Sequence, residues 1–210
     1  MRIVGGRHHG RRLYAPPGDA VRPTSDRARE ALFDILSHGD FASGGIPFAE
    51  EVVLDAFAGT GALGLEALSR GAAKAVFFEQ NREALAVLRR NVASLGEGDR
   101  AQILPYDATR PPRAALQCAV VFIDPPYRSG LAGPALEAID ATGWLTPDVL
   151  AVIEIGARDE CHPPTGFAQL DERVYGAARL VFLRNAMDGG SRSELASYQD
   201  AGGQRHGGRL

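Results

Sequence analysis

The sequence predicts an α/β fold, a mostly parallel sheet of seven strands covered by helices. Three observations predict it. First, a short apolar run, Val52-Val53-Leu54, leads to a glycine turn, Gly59-Thr60-Gly61. Apolar residues then recur at helical spacing at Ala62, Leu63, Leu65, Ala67 and Leu68. Second, strand-like and helix-like segments alternate as far as residue 155. Third, the last two strand-like segments pair as a hairpin around Gly176, which adds one antiparallel member.

The elements follow in order. Arg2 to Gly6 and Arg11 to Tyr14 are short extended segments around His8, His9 and Gly10, and Pro16-Pro17-Gly18 ends them. They read as a small β-hairpin, so residues 1–20 are expected to form a basic extension. A two-stranded ribbon is marginal alone and must pack on something. Thr24 or Ser25 then caps a helix through Leu36, with Ala28, Leu32, Ile35 and Leu36 on its apolar stripe. Arg22, Arg27 and Arg29 fall near the loop or on the polar face. There they serve a substrate or a cofactor carboxylate, with a plain solvated helix charge the alternative for Arg29.

A glycine-bearing loop, His38 to Pro47, leads into the central strands. Lys74 to Glu79 is the second strand, and Asn81 caps a helix from Arg82 to Leu95. Ala101 to Pro105 is the third strand, and Ala119 to Ile123 is a fully apolar fourth. Ala135 to Ala141 reads as a helix and Val149 to Ile155 as the fifth strand. Gln169 to Tyr175 and Ala178 to Leu183 close the sheet. The main domain is thus expected over residues 21–184. The stretch 185–210 is rich in glycine, serine and charge and reads as disordered.

Composition narrows the function. The 210 residues suit one domain with a small appendage. No apolar run approaches membrane-spanning length, and no hydrophobic signal region opens the chain. A cytoplasmic location, no membrane partner and a monomer are the expectations. Cys118 and Cys161 lack metal-ligand spacing and read as free thiols, and the five histidines do not cluster with them. No metal site is expected. The formal net charge is −3, but residues 1–30 carry seven arginines against three acids, a net of +4, which leaves −7 for the rest. A basic arm on an acidic body is the asymmetry of a local polyanion contact. Arg2, Arg7, Arg11, Arg12, Arg22 and Arg27 are the candidates to grip phosphates, with Tyr14 or the histidines to stack on bases. A solvated basic terminus with no partner is the competing reading.

Gly59, Gly61 and Gly64 satisfy G-x-G-x-x-G, and Glu79 follows Gly59 by twenty residues. That spacing fits a dinucleotide or another nucleoside cofactor. Asp55 at the strand end favours S-adenosylmethionine, because a carboxylate there suits an ammonium group and repels a pyrophosphate. Glu79 ends its strand, where an acid accepts both ribose hydroxyls. Asp107, after the third strand, either accepts the adenine amino group or is an ordinary turn residue.

The fourth strand delivers Asp124-Pro125-Pro126-Tyr127. If strands one and four are neighbours, Asp55 and Asp124 face one crevice. An exocyclic amine on a nucleobase is a poor nucleophile, because its lone pair is delocalised. The Asp124 carboxylate and the Pro125 carbonyl can accept its N–H bonds and orient that lone pair. Pro125 and Pro126 hold the turn rigid, and Tyr127 offers a stacking face. The base must be unpaired or flipped out to reach it. Standing alone, an Asp-Pro pair is also a common turn starter.

These residues resemble the amino-methyltransferases with a D/N-P-P-Y/F motif. Met1 to Gly6, Gly10-Arg11, Arg22-Pro23-Thr24, Asp26-Arg27, Arg29-Glu30 and Leu54 to Ala67 resemble more narrowly the RsmD family, over about residues 1–184. The resemblance implies a Rossmann-like S-adenosylmethionine-dependent fold. It also implies methylation of N2 of guanine 966 in 16S rRNA, within the small ribosomal subunit or its assembly intermediate. By position, Asp55, Phe57, Ala58, Gly59 and Gly61 would hold the methionine end of the cofactor. Glu79 would hold the ribose, and Asp107 with Ala108 the adenine. Asp124, Pro125, Pro126 and Tyr127 would address the guanine amine. His9 departs from the arginine usual before Gly-Arg. Two rivals share parts of this pattern: a DNA adenine-N6 methyltransferase and a non-catalytic RNA-binding assembly factor with a vestigial cofactor pocket. A nicotinamide enzyme fits worst, since Asp-Pro-Pro-Tyr has no role in hydride transfer.

Overall fold

Adjacent apolar residues on each central strand point to opposite faces. Val53, Phe77 and Phe122 enter one apolar cluster, while Leu54, Phe78 and Ile123 enter a second. A sheet buried on both faces must be covered by helices on both. The computed structural model describes residues 1–15, 26–39, 41 and 46–186. Its elements are α1 (Asp26–His38), β1 (Val52–Asp55), α2 (Ala62–Ser69), β2 (Lys74–Phe78), α3 (Arg82–Leu95), β3 (Ala101–Leu104), β4 (Cys118–Ile123), α4 (Ala132–Ala141), β5 (Leu145–Gly156), β6 (Phe167–Tyr175) and β7 (Ala178–Asn185).

The seven strands form one sheet in the order β3-β2-β1-β4-β5-β7-β6. β7 runs antiparallel to both its neighbours, and every other pairing is parallel. This is the predicted architecture, with β1 paired to β4. Leu32, Phe33 and Leu36 of α1, Leu65 and Leu68 of α2, and Leu88, Val92 and Leu95 of α3 pack on one face. Ala135, Leu136 and Ile139 of α4 pack on the other.

α3 matches its sequence signals residue for residue. Asn81 Oδ1 accepts from the Glu83 and Ala84 amides at 2.9 and 3.0 Å, and Gly96 ends the helix at φ 72°. β5 begins four residues earlier than expected. Its register against β4 slips between Cys118 and Val120, which accommodates Pro147 within the strand. α4 also starts earlier, at Ala132, because Pro134 fits the first turn of a helix. The expected caps Thr24 and Ser25, the residue Arg22 and the stretch from 187 onward lie outside the described residues.

The N-terminal segment differs from a free ribbon. Its arms are held by Ile3 N–H to the Arg11 carbonyl and Gly10 N–H to the Ile3 carbonyl, both 2.9 Å, and by one antiparallel bridge between Arg2 and Arg12. Between them the chain makes a 3-10 turn, Gly6–His8. Gly6 sits at φ 71°, and a Cβ there would strike the Ser69 backbone. The arm is stitched into the domain: Ile3 and Leu13 are buried in the first cluster. Val4 N–H donates to Glu66 at 2.8 Å, and Ser69 Oγ donates to the Gly5 carbonyl at 2.6 Å.

Glu66, fully buried on α2, is the centre of this attachment. It faces Arg29 Nε at 3.7 Å and accepts from Arg70 Nε at 2.8 Å. Arg29 is also fully buried and bonds Asp26 and the Arg2 carbonyl. Removing one partner of such a pair strands a charge in the core. Glu66→Ala is therefore expected to lower stability by about 3–5 kcal/mol, read from urea unfolding. A loss below 1 kcal/mol would contradict the attachment.

Candidate active site

Strand order builds the site. The chain runs from β1 to β2 and β3 on one side, then returns to place β4 and β5 on the other. A crevice opens at such a reversal, beyond the carboxyl ends of the strands. Four acids follow four adjacent strands there: Asp107 after β3, Glu79 after β2, Asp55 closing β1 and Asp124 after β4. Neighbouring strands lie about 4.8 Å apart, so these four residues follow one another along the same edge of the sheet.

Asp55 is 1% exposed, and its Oδ2 accepts from the Gly64 amide at 3.0 Å. It thus satisfies an amide in the first turn of α2, the positive end of that helix. Burial pushes its carboxyl up to about 7; the Gly64 bond pulls down, and the Glu79 charge pushes up. The three glycines divide their work. A Cβ at Gly61 (φ 81°) would meet Leu88, and one at Gly64 would strike the Phe77 ring. Both let α2 approach its neighbours. At Gly59 (φ 53°) a Cβ would meet nothing nearer than the Phe57 carbonyl oxygen, 4.0 Å away. Gly59 therefore faces open space.

Glu79 ties this turn to α3. Its two oxygens accept from the Gly59 amide at 2.8 Å and the Asn81 amide at 2.7 Å. Each carboxylate oxygen keeps a second lone pair for a hydroxyl. Asp107 Oδ1 accepts from the amide and hydroxyl of Thr109 at 2.9 and 2.8 Å, which holds its carboxyl below the usual range. It is a turn residue in this respect. Phe57 is half-buried, while Ala58 and Ala108 are buried. The Ala58 amide donates to the Phe78 carbonyl at 3.0 Å, fixing the turn to β2.

Asp124 is half-buried, Pro125 buried, and Pro126 and Tyr127 exposed. Tyr127 donates its hydroxyl to Glu154 Oε1 at 3.2 Å. Glu154 was not among the expected site residues. It is 4% exposed on β5, one residue after Ile153, which pairs with Ile123 of β4. Its signal was one acid inside the apolar run Val149 to Ile155. Beyond Tyr127, Arg128 has φ 60°, and its amide donates to Asp159 at 3.0 Å. A cavity of about 500 Å³ opens here between Pro125 to Pro134 and the Ile155 to His162 segment. Among the described residues no cluster of His, Cys, Asp or Glu could hold a metal ion, and no helix is long and apolar enough to cross a membrane.

Three of the candidate arginines have partners within the chain. Arg7 bonds the buried Glu97, Arg11 donates to the Ser94 carbonyl at 2.6 Å, and Arg2 lies 3.8 Å from Asp26. All three remain exposed, as are Arg12 and Arg27. Arg29, expected on a polar face, is instead core, because Glu66 and Asp26 supply its counter-charges.

A family described as conserved hypothetical protein 95 matches residues 1–184. A protein of Escherichia coli K12 named ribosomal RNA small subunit methyltransferase D is 36% identical over 154 residues, 73% of this chain and 74% of that one. The Haemophilus influenzae protein of the same name is 32% identical over 190 residues, 88% of this chain and 94% of that one. The solved structure of the putative methyltransferase yhhF from Escherichia coli superposes with a TM-score of 0.73 at 33% identity, covering 88% of this chain and 97% of that one. An RNA methyltransferase from Salinibacter ruber, solved in complex with S-adenosyl-L-homocysteine, shares the fold at 14% identity, with a TM-score of 0.59 over 79% of this chain and 95% of that one. Through its matched length, its curated relatives and its seven-stranded sheet, the chain belongs to the RsmD family of ribosomal RNA small subunit methyltransferases.

Proposed function

We propose that the chain is an S-adenosylmethionine-dependent methyltransferase acting on 16S rRNA in the small ribosomal subunit, and that its acceptor is the exocyclic N2 of guanine 966. The observation that carries this reading is the pairing of β1 with β4, which sets Asp124-Pro125-Pro126-Tyr127 beside the glycine turn. The names of the relatives supply the rRNA class.

The residues present fit the cofactor. Gly59 leaves room at the turn, and a row of acids suits a ligand with an ammonium, a sulfonium, a ribose diol and an adenine amine. Asp55 with the Gly59 and Gly61 turn would hold its methionine end, Glu79 its ribose, and Asp107 with Ala108 its adenine. When bound, S-adenosylmethionine supplies an activated methyl group, and the transfer needs no metal. Asp124 and the Pro125 carbonyl accept the N–H bonds of the guanine amine. They aim its lone pair and stabilise the positive charge developing on nitrogen. Tyr127, anchored by Glu154, presents a face on which the flipped base stacks. Arg2, Arg7, Arg11, Arg12, Arg22 and Arg27 are the candidates to meet the phosphates.

Two outcomes test these roles. Asp124→Ala is expected to reduce labelled methyl transfer to unmethylated subunits by about 100-fold or more, with cofactor affinity within twofold of the parent. Loss of cofactor binding in a folded variant would remove Asp124 from this role. The second is a pH profile. Asp55 binds its proton more tightly folded than unfolded, so its contribution to ligand-free stability is full below about pH 4 and is lost as pH rises through about 7. A cationic ligand draws the ionised form. Cofactor affinity is therefore expected to rise from pH 5.5 and to level off only above about 7 in titration calorimetry, and Asp55→Asn to bind weakly without that slope. A flat parent profile would contradict the Asp55 contact.

A further inference from the structure

Asn91 is a buried polar residue that the proposed chemistry does not use. It lies on α3 with no solvent exposure, on the apolar side beside Leu88 and Val92. Its Oδ1 accepts from the Tyr14 amide at 2.7 Å. Its Nδ2 donates to the Tyr14 carbonyl at 3.0 Å and to the Thr60 carbonyl at 2.9 Å. One carboxamide thus grips both backbone groups of an arm residue and the middle residue of the glycine turn. Thr60 is touched by the arm a second time, through Met1 Sδ at 3.8 Å from its hydroxyl.

The outer side of the same arm residue faces solvent. The Tyr14 side chain is 43% exposed, and the Arg90 guanidinium sits 3.4 Å from its ring centroid. An aromatic ring carrying a cation is a stacking surface for an unpaired base beside phosphate. Arg11, bonded to the Ser94 carbonyl, and Arg12, bridged to Arg2, continue the positive surface along the arm and α3.

We propose that Asn91 is a positioning residue that couples RNA contact at Tyr14 and Arg90 to cofactor binding at the Thr60 turn. The proposal rests on the rRNA reading above. A base stacked on Tyr14 holds the Tyr14 backbone in place. Asn91 then cannot swing without losing a bond, so the Thr60 carbonyl is held as well. Ordering by one ligand is thereby shared by the other, which makes their binding cooperative, and reciprocally so.

The test uses the full chain, with S-adenosylhomocysteine as probe, titrated alone and with saturating unmethylated small ribosomal subunits. Subunits are expected to tighten the probe about 5-fold or more, and the probe to tighten subunit binding by the same factor. In Asn91→Ser that factor is expected to fall towards 1. A merely structural residue would shift both affinities and leave the factor at its parent value, and that result would overturn the role of Asn91. A parent factor of 1 would overturn the coupling itself. If Asn91→Ser does not fold, the surface change Arg90→Gln carries the test: subunit binding is expected to weaken about 2- to 5-fold and the factor to drop, and an unchanged factor overturns the proposal. A parent that binds the probe but never subunits overturns the rRNA reading, and the coupling with it.

Discussion

The pairing of β1 with β4 is the constraint on which the rest depends. The register sets Val53 beside Val120, Leu54 beside Val121 and Asp55 beside Phe122. Two motifs separated by more than sixty residues thereby end at one edge of the sheet. With β2 and β3 laid on the opposite side, that edge is the switch point at which open α/β sheets bind their ligands. A different strand order would keep every helix and strand and still disperse the four acids. The site is thus a property of topology first and of side chains second.

Polar residues in the core then fix what topology leaves loose. Glu66 joins the arm, α1 and α2 through Val4, Arg29 and Arg70. Glu97, also buried, gathers Arg7, His8 and Arg100 at the far end of α3. Asn91 links the arm to the glycine turn, and Glu154 steadies Tyr127. Each would be costly if left unpaired and specifies a geometry when satisfied. The basic arm is consequently part of the domain's packing, while its arginines, Arg2, Arg7, Arg11 and Arg12, all remain exposed.

The sequence made the sheet legible because its signals are local. Val52 to Leu54 and Ala119 to Ile123 are apolar runs, Asn81 caps α3, and the motif acids sit at or just after strand ends. The placement of Asp55, Glu79, Asp107 and Asp124 along one edge followed from those signals and strand order. Other features depend on partners distant in sequence. Arg29 reads as a helix surface charge until Glu66 is placed against it. The arm reads as a ribbon that must pack on something, but that it bonds α2 and α3 is visible only in the fold. Glu154 and Asn91 were single polar residues on apolar faces, and no rule of spacing names what such a residue will bond.

The central claim, an exocyclic guanine amine oriented at the end of β4, is tested most directly by identifying the methylated nucleoside. Labelled S-adenosylmethionine would be offered with unmethylated small subunits, with naked 16S rRNA and with DNA, and each product digested to nucleosides. The account predicts label in N2-methylguanosine, from subunits above all. Label in N6-methyladenine from DNA, or no transfer by a protein that still binds the cofactor, would contradict it.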